Sequence, residues 1–124
     1  MFDRRDFDAA ELMIDDWQAG IEERAARARE LSARLSRLSA RVRSDDRLVT
    51  VTVGASGDLV GLELDERIRQ RPAAETAAAI LRTLRAAQAK LTEAVADATA
   101  GTVGADSVTG RAVIASYAGR LGGA

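Results

Sequence analysis

Cysteine, histidine and asparagine are all missing from this 124-residue chain. Without cysteine there is no disulfide framework, no thiolate nucleophile and no thiolate metal site. Without histidine, the usual base of hydrolases and the commonest metal ligand go too. Without asparagine there is no acceptor for N-glycosylation. Aromatic residues make up only 3%, namely Phe2, Phe7, Trp17 and Tyr117, and there is a single proline, Pro72. No apolar run approaches a membrane span, and no apolar stretch of a secretory leader follows Met-Phe-Asp-Arg-Arg-Asp. A soluble cytoplasmic protein is the expectation, of one domain, with a modest core and no roomy buried active site.

What is present is charge, and it is segregated. The net charge of −1 conceals eight acids against two arginines in residues 1–23, then eight arginines against three acids in residues 24–47. Residues 48–66 are acidic again and residues 67–90 basic. Anionic partners could meet the basic blocks and cationic partners the acidic ones. Seventeen of the eighteen basic residues are arginine, a bias that a GC-rich coding sequence also produces, so arginine abundance alone says little.

The first half of the chain carries an apolar seam at alternating spacings of three and four. Its slots are Phe7, Ala10, Ile14, Trp17, Ile21, Arg24, Ala28, Leu31, Leu35, Leu38 and Val42, with Arg24 the only charged one. Such spacing keeps one helical face in register for packing along another helix. Asp8 followed by Glu11 resembles a capping box, so the spacing predicts one helix over residues 8–43. That helix would span about 54 Å, against a radius of gyration of roughly 14 Å for a compact chain of this length. Something beyond the protomer must cover the excess. Ile14, Trp17, Ile21, Leu31, Leu35 and Leu38 are therefore the expected dimer or packing seam.

Ser44-Asp45-Asp46 separates this helix from Leu48–Val53, where valines alternate with threonines as in a half-buried antiparallel strand. Gly54 to Asp58 supplies a turn, and Leu59–Leu64 a second strand with Val60, Leu62 and Leu64 on one face. Asp65–Arg71 reads as a single helical turn. Pro72 suits the first position of a second helix over residues 73–100, with Ala77, Leu81, Leu84, Gln88, Leu91, Val95 and Ala98 as its stripe. Gly101 and Gly104 end it, and Asp106 or Ser107 caps a short last helix before the terminal Gly-Gly tail.

Leu48-Val-Thr-Val-Thr-Val-Gly-Ala-Ser-Gly-Asp-Leu-Val-Gly-Leu-Glu-Leu-Asp65 resembles the YbaB/EbfC family of bacterial nucleoid-associated proteins. The resemblance covers about residues 8–100, and Trp17 and Thr109-Gly110-Arg111 look like the actinobacterial branch. It implies an α+β fold: a long N-terminal helix, a small antiparallel sheet of two to three strands, a second long helix and a short C-terminal helix. It also implies a YbaB-like dimer with helices projecting like tweezers, and DNA binding with little sequence preference. A third strand just before Leu48 is the alternative it opens, with Ala40 to Ser44 extended and the first helix stopping near Ser39. Residues 1–104 would form the family-like domain and residues 105–124 a helical extension. The resemblance supplies no contact residues.

Those are read from spacing. Arg27, Arg34, Arg37 and Arg41 share one helical stripe, with Arg43 and Arg47 just beyond, and together they are the candidate DNA contacts. A solvated helix flank, with Glu30 pairing Arg27 and Arg34, accounts for the same pattern. Arg67, Arg69 and Arg71 form a second basic cluster better explained by solvation. No aromatic interleaves a basic block, as single-strand binders require. Asp45, Asp46, Glu63 and Asp65 lack the spacing of a calcium loop, so neither metal nor other cofactor is expected. No nucleotide fingerprint or converging carboxylate pair is found, and no enzyme is expected. The function expected is sequence-nonspecific binding of duplex DNA by a cytoplasmic, nucleoid-associated homodimer, through arginine–phosphate contacts. The alternative is a protein-interaction module, a helical dimer gripping a partner protein such as a secretion component. Membrane partners are not expected.

Overall fold

The computed structural model describes residues 4–121; Phe2 and the terminal Gly-Gly tail lie outside them. The order is helix α1 (Arg4–Ser36), strands β1 (Ala40–Arg43), β2 (Val49–Val53) and β3 (Leu59–Leu64), then helices α2 (Ala73–Thr102) and α3 (Val108–Leu121). A short 3-10 turn, Glu66–Gln70, precedes α2. The three strands form one antiparallel sheet in the order β1-β2-β3. The fold is α+β, with the expected long, long and short helices.

Two corrections concern α1. It is already helical at Arg4, so Asp8 sits inside the helix and not at its cap. It also stops at Ser36 and does not run to residue 43. The Ser36 hydroxyl donates to the Ala33 carbonyl at 2.8 Å, and Arg37 and Leu38 make tight bonds to carbonyls three residues back. These features close the last turn. Val42 satisfies both the seam's spacing and a two-residue alternation, Ala40 and Val42 inward with Arg41 and Arg43 outward. Pairing decides between them. As a strand, the segment aligns Ala40 with Val53 and Val42 with Val51, completing a face on which Ala40, Val49, Val51 and Val53 are buried.

A third correction concerns α2. Its buried positions are Ala79, Thr83, Ala87, Leu91, Val95, Ala98 and Thr99. Of the stripe predicted from larger residues, Leu91, Val95 and Ala98 are buried and Leu84 and Gln88 half-buried, whereas Ala77 and Leu81 are exposed. Small residues at spacings of four let the helix lie close on β1 and β2, along the ridge that four-residue steps trace. Thr83 and Thr99 meet their own needs by donating to carbonyls four residues back. Leu81 is left 51% exposed. Pro72 occupies the cap position just before α2.

The core is one cluster, Ala40, Val49, Val51, Val53, Ala79, Ala87, Leu91 and Val95, with Leu35, Leu38, Val113, Tyr117 and Leu121 packed around it. Helix α3 therefore belongs to the protomer's own packing. Gly110 makes that possible: a Cβ there would strike the Gly104 carbonyl. Ser107 caps the helix by accepting from the Gly110 amide at 2.9 Å. The Tyr117 hydroxyl and the Gln88 amide both reach the β2–β3 turn, donating to the carbonyls of Ala55 and Gly57. Gly57 there has a φ of 83°, the left-handed region that glycine enters without penalty.

Two surfaces are left uncovered. Leu59, Leu62 and Leu64 pair with Val53, Val51 and Val49 and so share the inward face of the sheet, yet they are 42–45% exposed. Helix α2 covers β1 and β2, not β3. Along α1, Phe7, Ile14, Trp17 and Ile21 are exposed, whereas Leu31 on the same face is buried.

Candidate nucleic-acid interface

The end of α1 at Ser36 redistributes the six candidate arginines. Arg27 and Arg34 stay on α1, Arg37 lies in the connection, Arg41 and Arg43 are on β1, and Arg47 is in the β1–β2 turn. They are not one helical stripe. Strand alternation brings Arg41 and Arg43 together on the outer face of the sheet, because Ala40 and Val42 take the inner face. Arg47 joins them across the turn: its carbonyl accepts from Nε and Nη2 of Arg43 at 3.3 and 3.2 Å. A shallow concavity of about 490 Å³ is lined by Arg41, Arg43, Arg47, Thr50, Glu63 and Asp65.

The charge of this face is partly spent internally. Arg41 pairs with Glu63 at 3.1 Å, Arg67 with Asp65 at 2.9 Å, and Arg71 with Asp46 at 2.7 Å. Arg69 pairs with Glu66, so the second basic cluster is engaged at every member. Arg27 meets Glu23 at 2.5 Å and Arg34 donates to the Thr102 hydroxyl at 2.6 Å. Arg37 and Arg47 make no ion pair among the described residues and are fully available. The pairs are solvent-facing, where ion pairs contribute little and exchange readily with phosphate.

The β1–β2 turn is held rigid by Asp46. One of its oxygens accepts from the Ser44 hydroxyl at 2.6 Å and the Leu48 amide at 3.0 Å, and the other from Arg71. The Ser44 hydroxyl, then the Leu48 amide, then the Arg71 guanidinium hold its carboxyl at about 2, below the ordinary 3.8. Arg47 adopts a φ of 65° inside this turn, a left-handed conformation uncommon for a residue with a side chain. The turn thus fixes the backbone that presents Arg43 and Arg47. Asp65 is likewise lowered, first by the Arg67 side chain and then by the Arg67 amide.

Asp46, Glu63 and Asp65 are committed to arginines, and no group of three or more acidic residues among the described residues could hold a metal. Among the described residues, no helix is long and apolar enough to cross a membrane. The sequence placed Val60, Leu62 and Leu64 on one face of β3, but the irregularity opposite Thr52 and Val53 puts Leu59 there with Leu62 and Leu64 instead. Sequence reasoning missed Lys90, whose ammonium donates to the Arg41 carbonyl at 3.1 Å and shields the β1 edge.

No curated protein and no solved structure matches the chain. The model of the YbaB/EbfC DNA-binding family matches residues 12–106, from the middle of the bare part of α1 nearly to the start of α3. The outward arginines thus lie within the matched region of a DNA-binding fold, and α3 lies beyond it. The chain belongs to the YbaB/EbfC DNA-binding family.

Proposed function

We propose that the protein binds duplex DNA on the nucleoid, in the cytoplasm, as a homodimer whose arginines contact phosphate without reading bases. The observation that carries this is the outward group Arg41, Arg43 and Arg47, with Arg37 beside it in sequence, on a rigid sheet face. Arginines of this kind neutralise phosphates, release counterions and carry no sequence information of their own. Arg27 and Arg34 extend the basic surface along α1. No aromatic lines the concavity, so base stacking has no platform there. The protein is a binder and not a catalyst.

The homodimer is supported by the second open edge of the sheet. Lys90 protects β1, but β3 presents Leu59, Val60, Leu62 and Leu64, all exposed. An open apolar strand edge is a template for pairing with another chain. Two copies meeting there across a two-fold axis would double the arginine surface. Leu62→Asp should then halve the mass seen by light scattering; an unchanged mass would remove β3 from the interface.

The test of the DNA reading is anisotropy of a labelled random duplex at about 50 and about 200 mM salt. About six phosphate contacts per dimer give a slope of log affinity on log salt near −5. Absence of binding at low salt, from a folded dimer, would overturn the reading. A second reading rests on the same exposed apolar residues: a module that grips a partner protein. Binding of that kind survives high salt, where phosphate contacts do not.

A further inference from the structure

Leucine and serine stand side by side three times where α1 gives way to the sheet: Leu31-Ser32, Leu35-Ser36 and Leu38-Ser39. Leu31 is buried, and Leu35 and Leu38 pack against the core, so the leucines face inward while all three serines are exposed. The serines differ in their backbone. Ser32 and Ser36 belong to α1, and the Ser36 hydroxyl is engaged with the Ala33 carbonyl. Ser39 lies past the helix, and its hydroxyl makes no hydrogen bond among the described residues. No other serine or threonine of the chain shares its setting, with arginine both two residues before and two after, in Arg37-Leu38-Ser39-Ala40-Arg41.

The geometry points to Ser39 as a phosphorylation site for a basic-directed protein kinase, its phosphate capturing Arg37 and Arg41 and so weakening the hold on DNA. An acceptor hydroxyl must reach the γ-phosphoryl of a nucleotide inside the kinase cleft, in line with the leaving oxygen, which a serine wound into a helix cannot do. From Arg37 to Arg41 no residue is helical: the connection is irregular up to Ser39, and Ala40 and Arg41 open β1, an edge strand. The two arginines supply the charge that an acidic kinase cleft selects. In the step itself, Ser39 Oγ bonds to the γ-phosphorus of ATP and the bond to the β–γ bridging oxygen breaks. ADP departs, and the hydroxyl proton passes to the kinase's base.

The same arginines then receive the product. Exposed Ser39 and Arg41 flank buried Ala40, so they fall on the outer face of the sheet, about 7 Å apart along the chain. Arg41 holds only a solvent-facing pair with Glu63, which exchanges readily. A phosphoserine adds about two negative charges and three acceptor oxygens beside two guanidiniums. Pairing within one short segment has a high effective concentration, so it competes well with DNA phosphate arriving from outside. The site and the capture stand on this geometry; only the effect on DNA rests on the function proposed above.

The full chain is treated with ATP, Mg²⁺ and the catalytic fragment of protein kinase C, and the modified residue is located by peptide mass spectrometry. A single phosphorylation at Ser39, abolished by Ser39→Ala and retained in Ser36→Ala, is expected; circular dichroism checks that both variants fold. No transfer, or transfer to another residue in place of Ser39, overturns the site. Phosphorus NMR then titrates the phosphoserine. Capture holds its second pKa below the ordinary value of about 6, and about 1 M salt moves it back towards that value. A value of about 6 that salt does not move overturns the capture. By anisotropy at about 50 mM salt, the phosphorylated chain should bind duplex DNA more than about tenfold more weakly than the unmodified chain. Equal binding overturns the effect on DNA. An unmodified chain that does not bind fails the DNA reading instead, and the mass and phosphorus results still decide the site and the capture.

Discussion

One helix presents the same face in two environments. In its packed half Leu31 is 2% exposed; in its bare half Trp17, on the same stripe, is 65% exposed. Apolar spacing does not separate these halves, since both satisfy it. What differs is the neighbour: Leu31 is buried and Leu35 packs against the core, whereas among the described residues none from 4 to 23 is buried. Apolar periodicity states that a face will be covered. It does not state whether the cover belongs to the same chain.

The contrast can be broken most sharply by truncation on each side of it. Leu31→Ala should cost about 2–5 kcal/mol of protomer stability in urea unfolding, as buried leucines do. Ile14→Ala, measured dilute enough to keep the chain monomeric, should stay within about 0.5 kcal/mol of the native chain. Equal costs would mean that the bare half is packed within the protomer after all. The next effect is on DNA. Arg41→Gln with Arg43→Gln removes four contacts per dimer and should flatten the salt slope by about 3 to 4, whereas Arg27→Gln should flatten it by about 2 at most. An equal loss from the helical and sheet arginines would return the contact surface to α1.

The smallest expected effect is titration of Asp46, which sharpens the account of why the sheet face is rigid. Its carboxyl is held at about 2 against 3.8 in the unfolded chain, so the folded state prefers it ionised. The stability it adds is fully present above pH 3.8 and is lost as pH falls through that value towards 2. Asp46→Asn should therefore lose stability near neutral pH and show a flatter pH dependence below 4 than the native chain. Parallel pH profiles for the two proteins would mean that the Ser44, Leu48 and Arg71 contacts do not favour the ionised form.

The order of elements was legible because each has its own signal: Val–Thr alternation for β2, Gly57 for the turn, Pro72 for the start of α2. The strand Ala40–Arg43 was legible only as an alternative, since four residues containing Val42 fit either period and only pairing with β2 chooses. The buried face of α2 was misread in its first half for a related reason. Leucines weigh heavily in a pattern, but close approach to a sheet selects Ala79, Thr83 and Ala87. The candidate site suffered most from the first error, because ending α1 at Ser36 moved Arg41 and Arg43 from a helix to a sheet face, beside Arg47 in the turn. Their sequence spacing gave these candidates a different geometry. The ion pairs that occupy Arg41, Arg67 and Arg71 join residues 22, 2 and 25 positions apart, and the distant two have no local signature.

Phosphate-led binding is indifferent to base sequence. Competition between two duplexes of equal length and unrelated sequence, at about 50 and about 200 mM salt, addresses both properties at once. Equal affinities at low salt and a common steep loss at high salt are expected. A preference of about tenfold or more for one duplex that persists at high salt would contradict this.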